Sequence, residues 1–495
     1  METFTLENVN CVNFTARRIN RYALLIEKGY ITAKIADPRR LPKGIPRFDL
    51  KKKYVIPGFT DCHTHLVATG IEMQRLDLST CRSLDDCLQR ISAQAKKRKL
   101  VFASNWDENS WRFDDSTRLN RRTLDRISRS KPIIMRRICG HYAVVNTCAL
   151  QRIPRNWKIV DRRNGLLYED VALNLNDIFM PTDEMLTKAV RLGTNKALQL
   201  GITSVHEISI PRRFRILQKL RHKLRVRFAV YLPEKHHKSV IETGLRTGYG
   251  DDWLKFAGTK IYVDGSLGAR TAALWHSFTN SRRRGNILVS KNALSKLLQS
   301  AENNGIQLMI HSIGDRATST VLDVLRKHTQ SGNPLRHRIE HLEILAAESV
   351  ADIAGLKIIA SMQPNFVHRW QNPEGMYHRI LGNRYLRMNC FKSLLNAHVK
   401  VVFGSDCMPL GPIYGVKGAV GHPSECGRLH IADALRLYTE AGPYATFDEK
   451  KKGRIESGHF ADLVILNKNP LEEQNLNSLR VEAVMVNGRF AYRHK

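Results

Sequence analysis

Short apolar, β-branched runs recur along the chain, each closed by a polar or glycine-rich break and separated from the next by segments of helical periodicity. From residue 58 onward eight of these runs read as strands: GFTDCHTHL (58–66), ITSVHEI (202–208), VRFAVYL (226–232), GTKIYVDG (258–265), IQLMIHS (306–312), RHRIEHL (336–342), LKIIASMQ (356–363) and VKVVFGSD (399–406). Eight strands alternating with helical segments predict an α/β architecture of the (β/α)8 barrel type. SKNALSKLLQSAENNG (290–305) illustrates the alternation, as a helix that should end at Gly305 just before the fifth strand.

Two regions fall outside this pattern. Residues 67–200 are too long for one βα loop and predict an insertion with elements of its own. Both chain ends read as short strands with turns, and VNGR (486–489) carries a hairpin signal. The termini are therefore expected to pair into a small β-domain. No internal repeat or low-complexity linker interrupts the chain.

Composition narrows the class. Of the 495 residues, 42% are hydrophobic and 7% aromatic, as in soluble folded proteins. No apolar run reaches the ~18 residues of a membrane span, and the start lacks a basic segment followed by an apolar core, so no signal peptide is expected. Nine cysteines without a C-x-x-C pair suggest reduced thiols and a cytoplasmic setting. The formal charge of +33 is unusual. Basic runs at 51–53, 212–228, 282–284 and 450–452 spread it along the chain, and 212–228 reads as a basic amphipathic helix running into a strand. Such a surface binds polyanions weakly at low salt, but without a recognition motif no specific nucleic-acid partner is expected.

Candidate chemistry gathers at the strand ends, where a barrel enzyme builds its site. The first strand carries His63 and His65, which share a face at i and i+2. Lys260 lies on the fourth, His311 on the fifth, His341 on the sixth, and the eighth ends at Asp406. Singly, each has an ordinary reading: a hydrogen-bonded structural histidine, a helix-capping aspartate, an exposed lysine. Together they form a set of imidazole and carboxylate donors suited to zinc, or to iron, manganese or nickel. With a bridging group they would hold two ions ~3.5–4 Å apart.

PGFTDCHTH (57–65), NWDENSW (105–111), RRICGHYAVVNTCAL (136–150), GITSVHE (201–207), KIYVDGSLGARTAAL (260–274), HSIGDRA (311–317), RIEHLEIL (338–345), SMQPNF (361–366), FGSD (403–406) and GRIESGHFADLVIL (453–466) follow one another in order. In these motifs the chain resembles the amidohydrolase superfamily, and most closely amidohydrolase family 3, with the YtcJ-like proteins and N-substituted formamide deformylase. The resemblance implies a TIM-like barrel over 57–445, inserted at about 67–200, with a β-sandwich made from 1–56 and 446–495. It implies a metal site of His63, His65, His311, His341 and Asp406, holding one or two divalent ions, with zinc the leading candidate. In many relatives the strand-four lysine is carboxylated and bridges the ions, and Lys260 falls at that position.

The activity implied is hydrolysis of a small molecule at an amide-like, formamide or cyclic-amide C–N bond, with Asp406 as general base and then general acid. His141 matches a family histidine near the substrate, although Cys139 stands where relatives more often carry a polar residue. Trp106, Asp107 and Glu108 are candidates to line the pocket or to pack within the insertion. Arg270 is a candidate to orient substrate. Asp264 would either brace a ligand or serve the VDG turn. His459 replaces the lysine common in the C-terminal GK-x-AD motif, away from the chemistry. A nucleobase-type deaminase, a binding protein on a decayed barrel and a polyanion-binding protein are the alternatives; no membrane association is expected, and homo-oligomerisation stays open.

Overall fold

The computed structural model describes residues 3–494 apart from 109–110, 112–117, 139, 141, 158–159, 169–170, 173–174 and 329–331. It divides into two compact units, 1–66 with 194–495 and 67–193.

The first unit contains the barrel. Phe59–Thr64, Ile202–Ile208, Arg227–Pro233, Leu254–Tyr262, Leu308–Ser312, Arg338–His341, Ile359–Met362 and Val401–Phe403 form an eight-stranded sheet in chain order. Every ladder in it is parallel. Each of the eight runs read from the sequence overlaps one of these strands; six contain theirs whole, while the third strand runs one residue further, to Pro233, and the fourth begins four residues earlier, at Leu254. Six of the eight are wholly buried along their length, as parallel strands covered on both faces must be. The helix before strand five spans Lys291–Asn303. Ser290 Oγ caps it by accepting from the Ala293 N–H at 3.2 Å, and Gly305 closes it in a left-handed conformation at φ +64°.

The seam between strands eight and one is sewn by the residues just past strand eight. Ser405 donates its N–H and hydroxyl to the two carboxyl oxygens of Asp61 (2.8 and 2.5 Å), and Asp406 donates its N–H to the His63 carbonyl at 2.8 Å. Gly404 makes this approach possible, because a Cβ there would lie 2.4 Å from the His63 nitrogen.

The terminal strands do pair, as one mixed eight-stranded sheet. Phe4–Asn13 is its organising strand, antiparallel to Arg18–Glu27 and parallel to Tyr54–Pro57, which pairs in turn with the C-terminal Leu463–Leu466. The expected hairpin joins Val481–Val486 to Arg489–Arg493, with Asn487 and Gly488 both at positive φ (+51° and +73°). A buried ion pair ties this sheet to the barrel: Arg227 of strand three donates to both oxygens of Asp462, at 2.7 and 3.1 Å.

The second unit has its own six-stranded sheet and a capped helix, Leu84–Lys97. Its core gathers Leu84, Ile91, Val101, Trp106, Ile133 and Met135, so the inserted segment has a hydrophobic centre of its own. Among the described residues no helix is long and apolar enough to cross a membrane.

Candidate metal centre

The strand ends bring five of the predicted residues into one group. His63, His341 and Asp406 each offer a ligand atom within 4.8 Å of the others. Asp406 Oδ1 lies 3.2 Å from His65 Nε2 and 3.6 Å from His63 Nε2. The ring of His341 is 4.9 Å from that of His63 and 4.4 Å from that of His311, centroid to centroid. Two of these residues leave strand geometry to get there: His341 and Asp406 have φ of +74° and +52°. Left-handed backbone is costly for non-glycine residues and persists where its surroundings impose it. Here it closes strand six at His341 and falls three residues past strand eight at Asp406.

Hydrogen bonds orient the rings. His63 Nδ1 lies 2.5 Å from Glu340 Oε2, so the tautomer protonated at Nδ1 leaves the Nε2 lone pair facing Asp406. His311 Nε2 lies 3.0 Å from the Gly265 carbonyl, which in the same way leaves Nδ1 as its free lone pair. Burial holds His63 and His341 well below the ordinary histidine range and takes His311 to about 3, with the Lys260 charge adding to each effect. All three are therefore neutral at pH 7, the form that donates to a metal. Burial pushes the Asp406 carboxyl up, but His63, His65 and Lys260 outweigh it and keep the group below the usual carboxylate value.

Lys260 is fully buried, and its Nζ has no hydrogen-bond partner. Burial lowers its pKa to about 8, against the pull of Glu340 and Asp406. His341 Nδ1 is likewise buried and unpartnered. Unsatisfied polar atoms in a closed interior are rare. Two of them beside neutral imidazoles and an ionised carboxylate fit a site that completes itself around a divalent ion.

The other predicted positions sort differently. Asp264 accepts from the backbone N–H groups of Ala273, Ile313 and Gly314, and its Oδ1 lies 3.6 Å from His311 Nε2, beyond hydrogen-bond distance. Arg270 is half-buried in the turn that follows, at φ +55°. Trp106 is 1% exposed and stacks on Trp111, with centroids 5.6 Å apart, inside the core of the inserted unit. Asp107 and Glu108 both receive Arg137, at 3.0 and 2.8 Å. His141 and Cys139 lie outside the described residues. His459 is buried near the terminal sheet, its carbonyl accepting from the Ile31 N–H.

A layer the sequence reading missed supports the site from below. Arg338 is fully buried and bonds Glu340 (2.6 Å), Ser361 Oγ (2.5 Å), the Cys62 carbonyl (2.7 Å) and His206 Nδ1 (2.8 Å). Glu340 passes this constraint to His63. The signal was present in RIEH, where two opposite charges at i and i+2 on a barrel strand share one face and can neutralise each other.

A parallel eight-stranded barrel with histidines and an aspartate converging at one end of its strands has the layout of a barrel hydrolase that works with a metal. The model of the amidohydrolase family matches residues 47–492, and the chain belongs to that family. The YtcJ protein of Bacillus subtilis strain 168 is 28% identical over 481 residues, spanning 88% of this chain and 89% of that protein. N-substituted formamide deformylase of Arthrobacter pascens is 24% identical over 541 residues, 99% and 98% of the two chains. An uncharacterized metal-dependent hydrolase from Pyrococcus furiosus superposes with a TM-score of 0.84 at 25% identity, over 95% of this chain and 100% of its own. Fold, site and family agree on a metal-dependent hydrolase.

Proposed function

We propose that the chain hydrolyses an amide-like C–N bond other than a peptide bond, in a small substrate such as a formamide, a cyclic amide or an N-acyl amine. The observation that carries this reading is the convergence of His63, His65, His341 and Asp406, with His311 and the unpartnered Lys260 beside them. The likeness to a formamide deformylase along nearly the full length of both chains supports the bond type.

His63, His65, His311, His341 and Asp406 would hold one or two divalent ions, zinc being the best match to the donor set. An ion bound there acidifies water toward neutrality and polarises the scissile carbonyl. The residues of the chain do the rest. Asp406 Oδ1, ionised at neutral pH, accepts the proton of the attacking water and delivers it to the leaving nitrogen. Glu340 and Arg338 keep His63 in its donor tautomer throughout. Lys260, buried and unpartnered, is the residue that would take up carbon dioxide as a carbamate and serve as an additional anionic ligand. The described cysteines are all free thiols, in keeping with a cytoplasmic enzyme.

The test is hydrolysis of a panel of N-formyl amines, cyclic amides and N-acyl amines by metal-supplemented enzyme, with Asp406→Asn as control. Turnover on at least one class, lost by 10³-fold or more in the variant, is the expected result. Equal rates in the two proteins overturn the mechanism.

A further inference from the structure

The basic segment 212–228 contributes nothing to the metal centre, but its second half borders a cleft of about 540 Å³. The cleft runs between residues 221–225 and the C-terminal hairpin. It lies at the N-terminal ends of barrel strands three and four, because Arg225 and Trp253 stand just ahead of Arg227 and Leu254, where those strands begin. The metal-capable side chains gather at the other ends of the strands.

The charge of this cleft is one-sided. Arg221, Lys223 and Arg225 line it from one segment and Arg489 from the other. Asp251 is the acid among its lining residues, and it is already engaged: it pairs with Arg221 and accepts from the Trp253 and Leu254 N–H groups, at 2.8 Å each. Arg225 bonds neutral partners, Asn195 Oδ1 at 3.0 Å and the Ala491 carbonyl, and the second bond ties the basic segment to the hairpin. Among the described residues no acidic side chain pairs with Lys223 or Arg489, both of them exposed. A cavity of about 460 Å³ bordering the same terminal sheet is different: Arg18, Lys34 and Arg454 share it with Glu440 and Glu456, and Arg454 lies 3.8 and 4.0 Å from those acids. The basic cleft is therefore more than a sample of a positively charged surface.

Aromatic side chains line it as well. Trp253 and Phe490 are partly exposed, and each is held by a guanidinium over its ring, Arg227 at 4.6 Å from the Trp253 centroid and Arg493 at 4.0 Å from that of Phe490. Arg227 is itself locked on Asp462. A fixed cleft that combines several cations with aromatic surface matches a ligand carrying phosphate groups on an aromatic base. Its volume suits one such unit, which favours a free nucleotide over a strand.

We propose that this cleft binds a free nucleoside polyphosphate, with Lys223, Arg225 and Arg489 receiving the phosphates and Trp253 the base. The site is separate from the metal centre, and the proposal goes beyond the hydrolase reading without depending on it.

The test titrates full-length protein by calorimetry at ~0.15 M salt, which screens diffuse attraction. The probes are ATP, tripolyphosphate, adenosine and penta-adenylate, a strand of similar charge to ATP. Wild type is expected to bind ATP about ten-fold or more tightly than tripolyphosphate or adenosine. The double variant Lys223→Glu/Arg489→Glu should lose about ten-fold or more in ATP affinity. Arg282→Glu/Arg283→Glu, an equal charge reversal in another exposed basic run, should keep it. Trp253→Ala should bring ATP down to the tripolyphosphate level. No binding of ATP by wild type, equal affinity for ATP and tripolyphosphate, or equal losses in the two charge-reversed proteins overturns the proposal and leaves a diffuse basic surface. Tighter binding of penta-adenylate than of ATP overturns the free-nucleotide assignment in favour of a nucleic-acid strand. The wild-type comparison of ligands decides the matter even if Trp253→Ala fails to fold.

Discussion

Asp406 donates its backbone N–H to the carbonyl oxygen of His63 across 2.8 Å, so the segment just past strand eight is fastened to the first histidine of strand one. The bond closes the barrel at its seam. It also sets the spacing of two metal-capable side chains, whose Oδ1 and Nε2 lie 3.6 Å apart. Fold closure and site geometry thus share one contact. Gly404→Ala should damage both, because the new Cβ would meet the His63 nitrogen at 2.4 Å. The expected cost is ~1–3 kcal/mol of stability, with metal affinity reduced in parallel. Thermal denaturation together with metal titration checks this, and an unchanged affinity would show that the seam does not set the site.

Glu340 stands between a buried guanidinium and the His63 imidazole. Glu340→Ala strands Arg338 without its carboxylate in a dry interior, which should cost ~3–5 kcal/mol. Glu340→Gln keeps the volume and should be milder for stability. It still weakens metal binding, on the order of 10–100-fold, because the His63 tautomer is no longer enforced. Urea denaturation and metal titration of the two variants separate these effects.

Trp106 tests whether NWDENSW serves the pocket or the packing. The ring is buried against Trp111 and Tyr142. Trp106→Ala should therefore destabilise the inserted unit by ~3–5 kcal/mol, while Trp106→Phe should leave KM close to the wild-type value. A large KM change in the Phe variant, with the melting temperature unchanged, would return Trp106 to the substrate pocket.

His337 gives a pH dependence with a definite sign. It is 1% exposed, its Nδ1 accepts from the Leu308 N–H at 2.9 Å, and burial lowers its pKa from 6.5 to about 4. Above pH 6.5 the ring is neutral in both folded and unfolded chains and contributes no pH dependence. As pH falls from 6.5 toward 4 the unfolded chain takes up the proton first, so stability is lost across that window. The loss approaches ~3 kcal/mol by pH 4. Denaturation midpoints at pH 7, 6, 5 and 4.5 should fall more steeply for wild type than for His337→Gln; parallel curves would contradict the assignment.

The eight barrel strands were legible because each is an apolar run that ends in a break. The His63–His65 pair was legible because period-two geometry places both rings on one face. The supporting layer was harder to read, because Arg338 and Glu340 look like surface charges until Cys62, Ser361 and His206 are seen closing around them. Glu343 was hidden for a similar reason: a glutamate just past a strand ordinarily faces water, whereas this one is almost completely buried. In Trp106, pattern alone could not distinguish an aromatic that lines a pocket from one that fills a core.

The central claim is that the strand-end cluster holds a divalent metal, and metal content tests it most directly. Elemental analysis of purified wild type and His63→Ala, both expressed in metal-supplemented medium and both shown to be folded by circular dichroism, should find one to two equivalents of zinc or a similar ion in wild type and markedly less in the variant. Wild type without bound metal, or equal content in the two proteins, would contradict the account.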